Sequence, residues 1–230
     1  MKPFGANLQQ SAPEALSLHA FSLGRKPSTA LHLDFYLGDI VWLEVASEDI
    51  RTQWIDVLSF QKGTFNGAFS FLGQHITPNL PLKSLLFLKN QMQAVCPSPF
   101  FVRDWPAIAN LSFPLRLQSL SKRAIEKRCR DAVTWAGANK WMDLPVCELS
   151  NLQISELNWL RALITYPRVL LVHAQTLPCD QSFSSKIQAT LENISKNGTL
   201  ILIIATKMDR IIYNFWQERL PQLHVINLPE

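Results

Sequence analysis

The sequence predicts an α/β fold in three consecutive parts: antiparallel β structure, then a helical insert, then a mostly parallel core sheet. Three observations predict it. The first 75 residues or so contain short runs of alternating apolar and polar residues bounded by glycine turns, the period-two pattern of half-buried strands. The middle carries helical periodicity with start and stop signals. The last third alternates helical stretches with short, wholly apolar runs, the signature of a parallel sheet with right-handed crossovers.

Each element has its own justification. Leu16 to Leu23 alternates, and Gly24-Arg25-Lys26-Pro27-Ser28 reads as a turn. Leu31 to Leu37 places Leu31, Leu33, Phe35 and Leu37 on one side. Gly38-Asp39 turns the chain into Ile40–Val45, an apolar run of the buried-strand type. Ser47 caps a helix with an acidic first turn, Glu48 and Asp49, whose Trp54, Ile55, Val57 and Leu58 face inward. Gly67 to Gly73 reads as a further strand. Asp104 is expected to cap a segment through Ile108 to Leu117, and Ser121 a basic helix from Lys122 to Ala136 that Gly137 stops. A helix follows from about Gln153 to Thr165, a strand at Arg168 to Val172 and a polar helix from Ser184 to Asn197 with Gly198 just beyond. The chain then gives a core strand from Thr199 to Ala205, a helix from Met208 to Leu220 and a short strand at Leu223 to Ile226.

Composition narrows the function classes. Of 230 residues 47% are hydrophobic and 17% charged, so enough apolar surface exists for a packed core and disorder is excluded. A net charge of +4 is too weak to imply nucleic acid. Cys96, Cys129, Cys147 and Cys179 are scattered without a C-x-x-C pair, which argues against zinc and fits a reducing compartment. The first residues lack the apolar stretch of a signal peptide, and the run from Leu200 to Ala205 is far short of a membrane span. A cytoplasmic chain with a single domain over 1–230 is expected, divided near 93 and 150 into a β-rich core part, a helical subdomain and the rest of the core. The 8 glycines are outnumbered by 14 prolines and fall well below the usual share of about 7%. Any function built on a glycine-rich phosphate cradle is disfavoured.

Four segments in order resemble the ATP-binding subunit of ABC transporters, over about Leu16 to Leu228. The strand, loop and helix at Leu43 to Leu58 stand where that family has its phosphate-binding loop. Asn110-Leu111-Ser112-Phe113-Pro114-Leu115 is similar to a segment of the subgroup that serves lipoprotein-release, lipid-transport and FtsE-like permeases. Leu149-Ser150-Asn151-Leu152-Gln153, followed by Arg161-Ala162-Leu163, Pro167 and Leu170-Leu171-Val172, tracks the family's signature and the strand after it. Asn197-Gly198-Thr199 with Ala205-Thr206 resembles the strand that leads to the switch histidine. The resemblance implies a P-loop NTPase-like ABC ATPase fold, ATP and Mg²⁺ as ligands, and an integral membrane permease as partner.

The same frame places other residues at the chemical positions. The phosphate loop reads Val45-Ala46-Ser47-Glu48-Asp49-Ile50-Arg51-Thr52. Glycines in such loops adopt positive φ and let backbone N–H groups approach phosphate oxygens. Val45 and Ile50 are β-branched, Glu48 brings negative charge, and the Arg51 fork does not fit the pocket of an ammonium. Thr52 keeps the hydroxyl used for Mg²⁺. A carboxylate of Glu48 or Asp49 is expected to fill the volume of a phosphate. In the signature, Ser150 and Gln153 persist while Asn151 and Leu152 replace glycines. His173 and Ala174 stand in place of the metal-binding and catalytic carboxylates: His173 cannot replace a hard carboxylate for Mg²⁺, and Ala174 cannot polarise water. Lys207 holds the switch position, and Asp180 matches the aspartate of the D-loop. The glutamine of the Mg²⁺-sensing loop falls near Pro97, with Gln93 within reach of a shifted alignment.

The expected function is therefore a pseudo-ATPase with a scaffold or regulatory role in an ABC-type membrane complex, without a bound cofactor. It would sit at the cytoplasmic face of the inner membrane, on a permease and with an intact ATPase or a second copy. The alternatives are an active or weakly ATP-binding cassette and an interaction protein without a transporter. Phe100 and Phe101 are candidates for permease docking if exposed, and core residues if buried. The basic residues Arg116, Lys122, Arg123, Lys127, Arg128 and Arg130 are read as a solvated helix face, Trp135, Trp141 and Met142 as packing residues, and Phe21 as a candidate base-stacking ring.

Overall fold

The computed structural model describes residues 13–24, 30–77, 80–118 and 120–229. The first residues and the turn expected at 25–28 lie outside them. The chain forms two compact units, 1–94 with 168–230, and 95–167; the boundaries expected near 93 and 150 compare with 95 and 167.

The first unit contains two sheets. In the antiparallel one, β1 (Glu14–Leu23) lies between β2 (Leu31–Tyr36) and β4 (Phe65–Phe71), and β5 (Gln74–Ile76) pairs β4 in order β2-β1-β4-β5. The second has five strands: β3 (Ile40–Val45), β6 (Met92–Val95), β7 (Val169–His173), β8 (Leu200–Thr206) and β9 (Leu223–Asn227), ordered β6-β7-β8-β3-β9. β7 runs parallel to β8, β8 to β3, and β3 to β9. β7 and β8 are buried throughout, as their uninterrupted apolar runs require. Among the described residues this unit also holds the α-helices α1 (Glu48–Leu58), α2 (Leu82–Gln91), α6 (Gln181–Lys196) and α7 (Arg210–Gln217).

A bulge in β1 explains one glycine. The pairing of β1 with β4 shifts register between His19 and Ser22, and Ala20 takes φ +48° there. Gly67 (φ +89°) lies against that bulge: a Cβ on it would stand 2.2 Å from the Ala20 carbonyl oxygen. Phe21 next to the bulge is fully buried, packed on Trp54, Phe65 and Phe69. It is a core residue, not a stacking ring for a base: the bulge resets the alternation of β1, so that Ala20, expected on the side of Leu16 and Leu18, is exposed and Phe21 turns to the core.

The second unit is helical: α3 (Ala107–Arg116), α4 (Lys122–Ala136) and α5 (Asn151–Leu163) around Leu111, Leu115, Val133, Trp141, Leu157 and Leu160. Ser121 caps α4 and Gly137 ends it at φ +73°. Trp141 and Met142 are buried as expected, but Trp135 is exposed near the end of α4, and Lys122, Arg123, Lys127 and Arg130 are exposed on that helix while Arg128 is half-buried.

Several boundaries differ from expectation. Asp104 does not cap α3. Pro106 is the N-cap, its fixed φ setting the entry to the helix, and Asn110 does the tethering. The Asn110 amide accepts from Val102 N–H (2.8 Å) and donates to the Val102 carbonyl (3.0 Å), which binds the preceding loop to the helix. α6 begins three residues early, at Gln181, because Asp180 is its cap and accepts from Phe183 N–H at 2.8 Å. The segment from Met208 splits into a short 3₁₀ turn (Lys207–Asp209) and α7. β5, α2 and β6 carry no expectation from the sequence.

Candidate functional site

The site lies at the carboxyl ends of three neighbouring parallel strands, β7, β8 and β3. In open α/β sheets this edge is where ligands bind. β3 ends at Val45, and Ala46 and Ser47 alone separate it from α1. That connection is short for a loop that must wrap a phosphate, and Ser47 takes up two amides of the first turn of α1. Ser47 is extended (φ −150°, ψ 169°), its Oγ accepts from Ile50 N–H (3.3 Å), and its carbonyl accepts from Arg51 N–H (2.9 Å). No residue from Val45 to Thr52 has positive φ, so the β-branched positions are unstrained.

From this turn α1 sends two side chains back over the sheet edge. Arg51 is 0% exposed. Its Nη1 donates to Asp209 Oδ2 at 2.5 Å, and its Nε and Nη2 grip the two oxygens of Glu48, the Nε bond being 3.3 Å. Asp209 comes from the 3₁₀ turn after β8 and is also buried. The same Oδ2 accepts from Thr206 N–H (2.8 Å) and Thr206 Oγ1 (3.2 Å), a reciprocal cap that fixes the carboxylate. His173, the last residue of β7, closes the group through Nε2 to Glu48 Oε1 at 2.9 Å. A carboxylate only accepts, so Nε2 carries the proton and Nδ1 is the acceptor. Nδ1 is buried and has no partner.

The electrostatics follow from burial. Desolvation pulls the Arg51 pKa below its ordinary value, and the charge and hydrogen bonds of Asp209 oppose the shift. The guanidinium stays charged because its intrinsic basicity is so high. His173 is held down to about 4, first by burial and then by the Arg51 charge, with Asp209 opposing. It is neutral at pH 7. One cation therefore faces two carboxylates, and the cluster as a whole is anionic. Glu48 is the exception in exposure: its side chain is 55% exposed and covers the cluster from the solvent side.

The other sequence candidates fall in several places. Asp49 and Thr52 are exposed on α1 and point away from this group; of the two candidate carboxylates, Glu48 alone reaches it. Ala174 is buried in a 3₁₀ turn, and Lys207 is exposed. In the second unit Leu149 is buried, and Ser150 with Gln153 forms a capping box on α5. Ser150 Oγ accepts from Gln153 N–H (3.3 Å), and Gln153 Oε1 accepts from Ser150 N–H (2.8 Å). Asn151 and Leu152 are exposed in the first turn of that helix. Phe100 is 84% exposed, but Phe101 is buried beneath the Arg161 guanidinium, 4.1 Å from the ring centre. The expectation that both rings share one environment is thus corrected: neighbours in an extended segment point opposite ways. Sequence reasoning missed Asp209. Its spacing from Thr206 is the capping signal that marks it.

No family model matches the chain. Among curated proteins it is 28% identical over 193 residues to the methionine import ATP-binding protein MetN of Sodalis glossinidius, covering 82% of this chain and 56% of that one. It is 24% identical over 182 residues to the corresponding protein of Xylella fastidiosa, covering 79% and 54%. The chain thus spans about half the length of these relatives. Among solved structures, the ATP-binding cassette MJ0796 in a dimeric post-hydrolysis state with ADP and Pi superposes with TM-score 0.74 at 16% identity, over 93% of this chain and 94% of that chain. CbiO1 of Clostridium perfringens, part of the ABC transporter complex CbiONQ, gives TM-score 0.65 at 19% identity, over 85% and 80%. The chain has the fold of an ABC-transporter ATP-binding cassette, and its sequence is similar to those of methionine-import ATP-binding proteins.

Proposed function

We propose that this chain is a catalytically inactive ABC ATPase-like subunit with a scaffold or regulatory role in a membrane transport complex. The observation that carries the reading is the engagement of Arg51. The cation at the position of the phosphate-loop lysine is buried and held from both sides by Glu48 and Asp209, inside a cluster of net negative charge. Glu48 stands in for the anion that the loop of a working cassette holds. Magnesium-bound triphosphate suits these residues poorly. The turn has no positive-φ residue to fold its amides round a phosphate, His173 supplies no hard oxygen ligand and Ala174 no base, and an anionic cluster repels phosphate.

Partners follow from the relatives rather than from the site. A membrane permease is the natural one, with an intact ATPase or a second copy alongside, and the cytoplasmic membrane face the natural place. No described helix is long and apolar enough to cross a membrane. The exposed Phe100 is the docking residue retained from the sequence candidates. The test is thermal unfolding with millimolar Mg-ATP. The expected result is an unchanged midpoint, since a ligand stabilises only in proportion to its occupancy of the folded state. A rise of several degrees, with ATP turnover abolished by Arg51→Ala, would establish an active cassette instead.

A further inference from the structure

α2 is seated in an unusual way for a helix of a packed domain. Its ten residues include four leucines and a phenylalanine, yet Leu88 is the one side chain fully buried. Leu82, Leu86 and Phe87 are 69%, 53% and 59% exposed. At 100° per residue these three share an arc of about 160° with Lys83 and Lys89, opposite Leu88. The helix has no acidic residue. No residue between Asp56 and Asp104 is acidic either; Lys62 is paired with Asp56 at 3.4 Å, so the net positive charge up to the end of β6 comes from Lys83 and Lys89.

We propose that this face of α2 rests on the headgroup region of an anionic lipid bilayer, with Leu82, Leu86 and Phe87 in the acyl boundary and Lys83 and Lys89 against lipid phosphates. The surface is a single convex helix in which cations and large apolar groups interleave. That pattern suits a fluid interface, where lysine stems lie along apolar surface while their ammonium groups reach the headgroups. The charge selects lipid over an apolar protein groove, because a groove that buried Leu86 and Phe87 would strand the flanking lysines without counter-ions. The inference is independent of nucleotide chemistry: an ATP-hydrolysing chain would leave it intact.

The experiment is flotation of the purified chain with vesicles of phosphatidylcholine, with and without phosphatidylglycerol. Binding to the anionic vesicles is expected, at least tenfold weaker on neutral ones. The pair Leu86→Asp with Phe87→Asp should weaken it by at least tenfold with an unchanged thermal melt because both sites are exposed, and Lys83→Glu with Lys89→Glu similarly, with a melt recorded for this pair because Lys89 is half-buried. A second measurement covers variants that fail to fold: Phe87→Trp should be quenched by brominated lipid in anionic vesicles. Failure of the wild-type chain to float, binding indifferent to these substitutions, or an unquenched Trp would overturn the proposal. Binding to native membranes but not to protein-free anionic vesicles would overturn it in favour of a protein partner.

Discussion

Two helix starts, those of α1 and α5, are held in different ways. At the end of β3 the hold is a charge network gathered from far apart in sequence: Glu48 and Arg51 from α1, His173 from β7, Asp209 from the turn after β8. At the start of α5 it is local and neutral, a capping box between Ser150 and Gln153 three residues apart. The difference lies in burial. A backbone N–H at an exposed helix end needs only a nearby oxygen. A guanidinium at 0% exposure needs both a counter-charge and acceptors for its several N–H donors, which Glu48 and Asp209 divide between them. The first hold therefore ties strands together, while the second sets only a helix end.

That contrast can be broken by mutation. The largest effect should come from Asp209→Ala, which leaves Arg51 buried against one half-exposed partner and Thr206 N–H without an acceptor. A loss of about 3–5 kcal/mol is expected in denaturant unfolding, and a loss below 1 kcal/mol would mean that the network is not structural. Next is acid sensitivity. The folded pKa of His173, about 4, lies below its ordinary 6.5, so the unfolded chain takes the proton first. The contribution is complete above pH 6.5 and is lost as pH falls toward 4, by up to about 3 kcal/mol. His173→Gln should flatten that part of the stability profile relative to wild type; parallel profiles would refute the assignment.

The helical unit should show smaller effects. Asn110→Ala strands the Val102 amide and carbonyl and should cost about 2 kcal/mol, seen as faster amide exchange at Val102. Ser150→Ala removes one exposed cap and should cost about 1 kcal/mol. If Ser150→Ala proved as costly as Asp209→Ala, the distinction between a tertiary and a local hold would collapse.

Much of this was legible in the sequence, for identifiable reasons. β3, β7 and β8 show as apolar runs because both faces are buried, and Ser47, Ser121 and Gly137 announce helix ends by side-chain chemistry. The site was half legible. A carboxylate of Glu48 or Asp49 at this sheet edge is expected from the acidic first turn of α1, but the grip of Glu48 on Arg51 is not, and neither is the role of Asp209. Partners 158 residues apart leave no periodicity to read. α2 was invisible for the converse reason: with one buried residue it has no inward stripe, and Leu82, Leu86 and Phe87 fall on the side that periodicity assigns to polar groups.

The strand order carries one consequence for the making of the molecule. β3 is complete by residue 45, yet both of its neighbours, β8 and β9, lie beyond residue 199. During synthesis an apolar strand must wait, unpaired, until nearly the whole chain has emerged, while the helices of 95–167 can assemble from local contacts. Closure of the central sheet is thus the last event, and Arg51 meets Asp209 only then. The ion pair marks completion of the fold, and a chain truncated before residue 200 would leave both β3 and its buried cation exposed to chaperones and proteases.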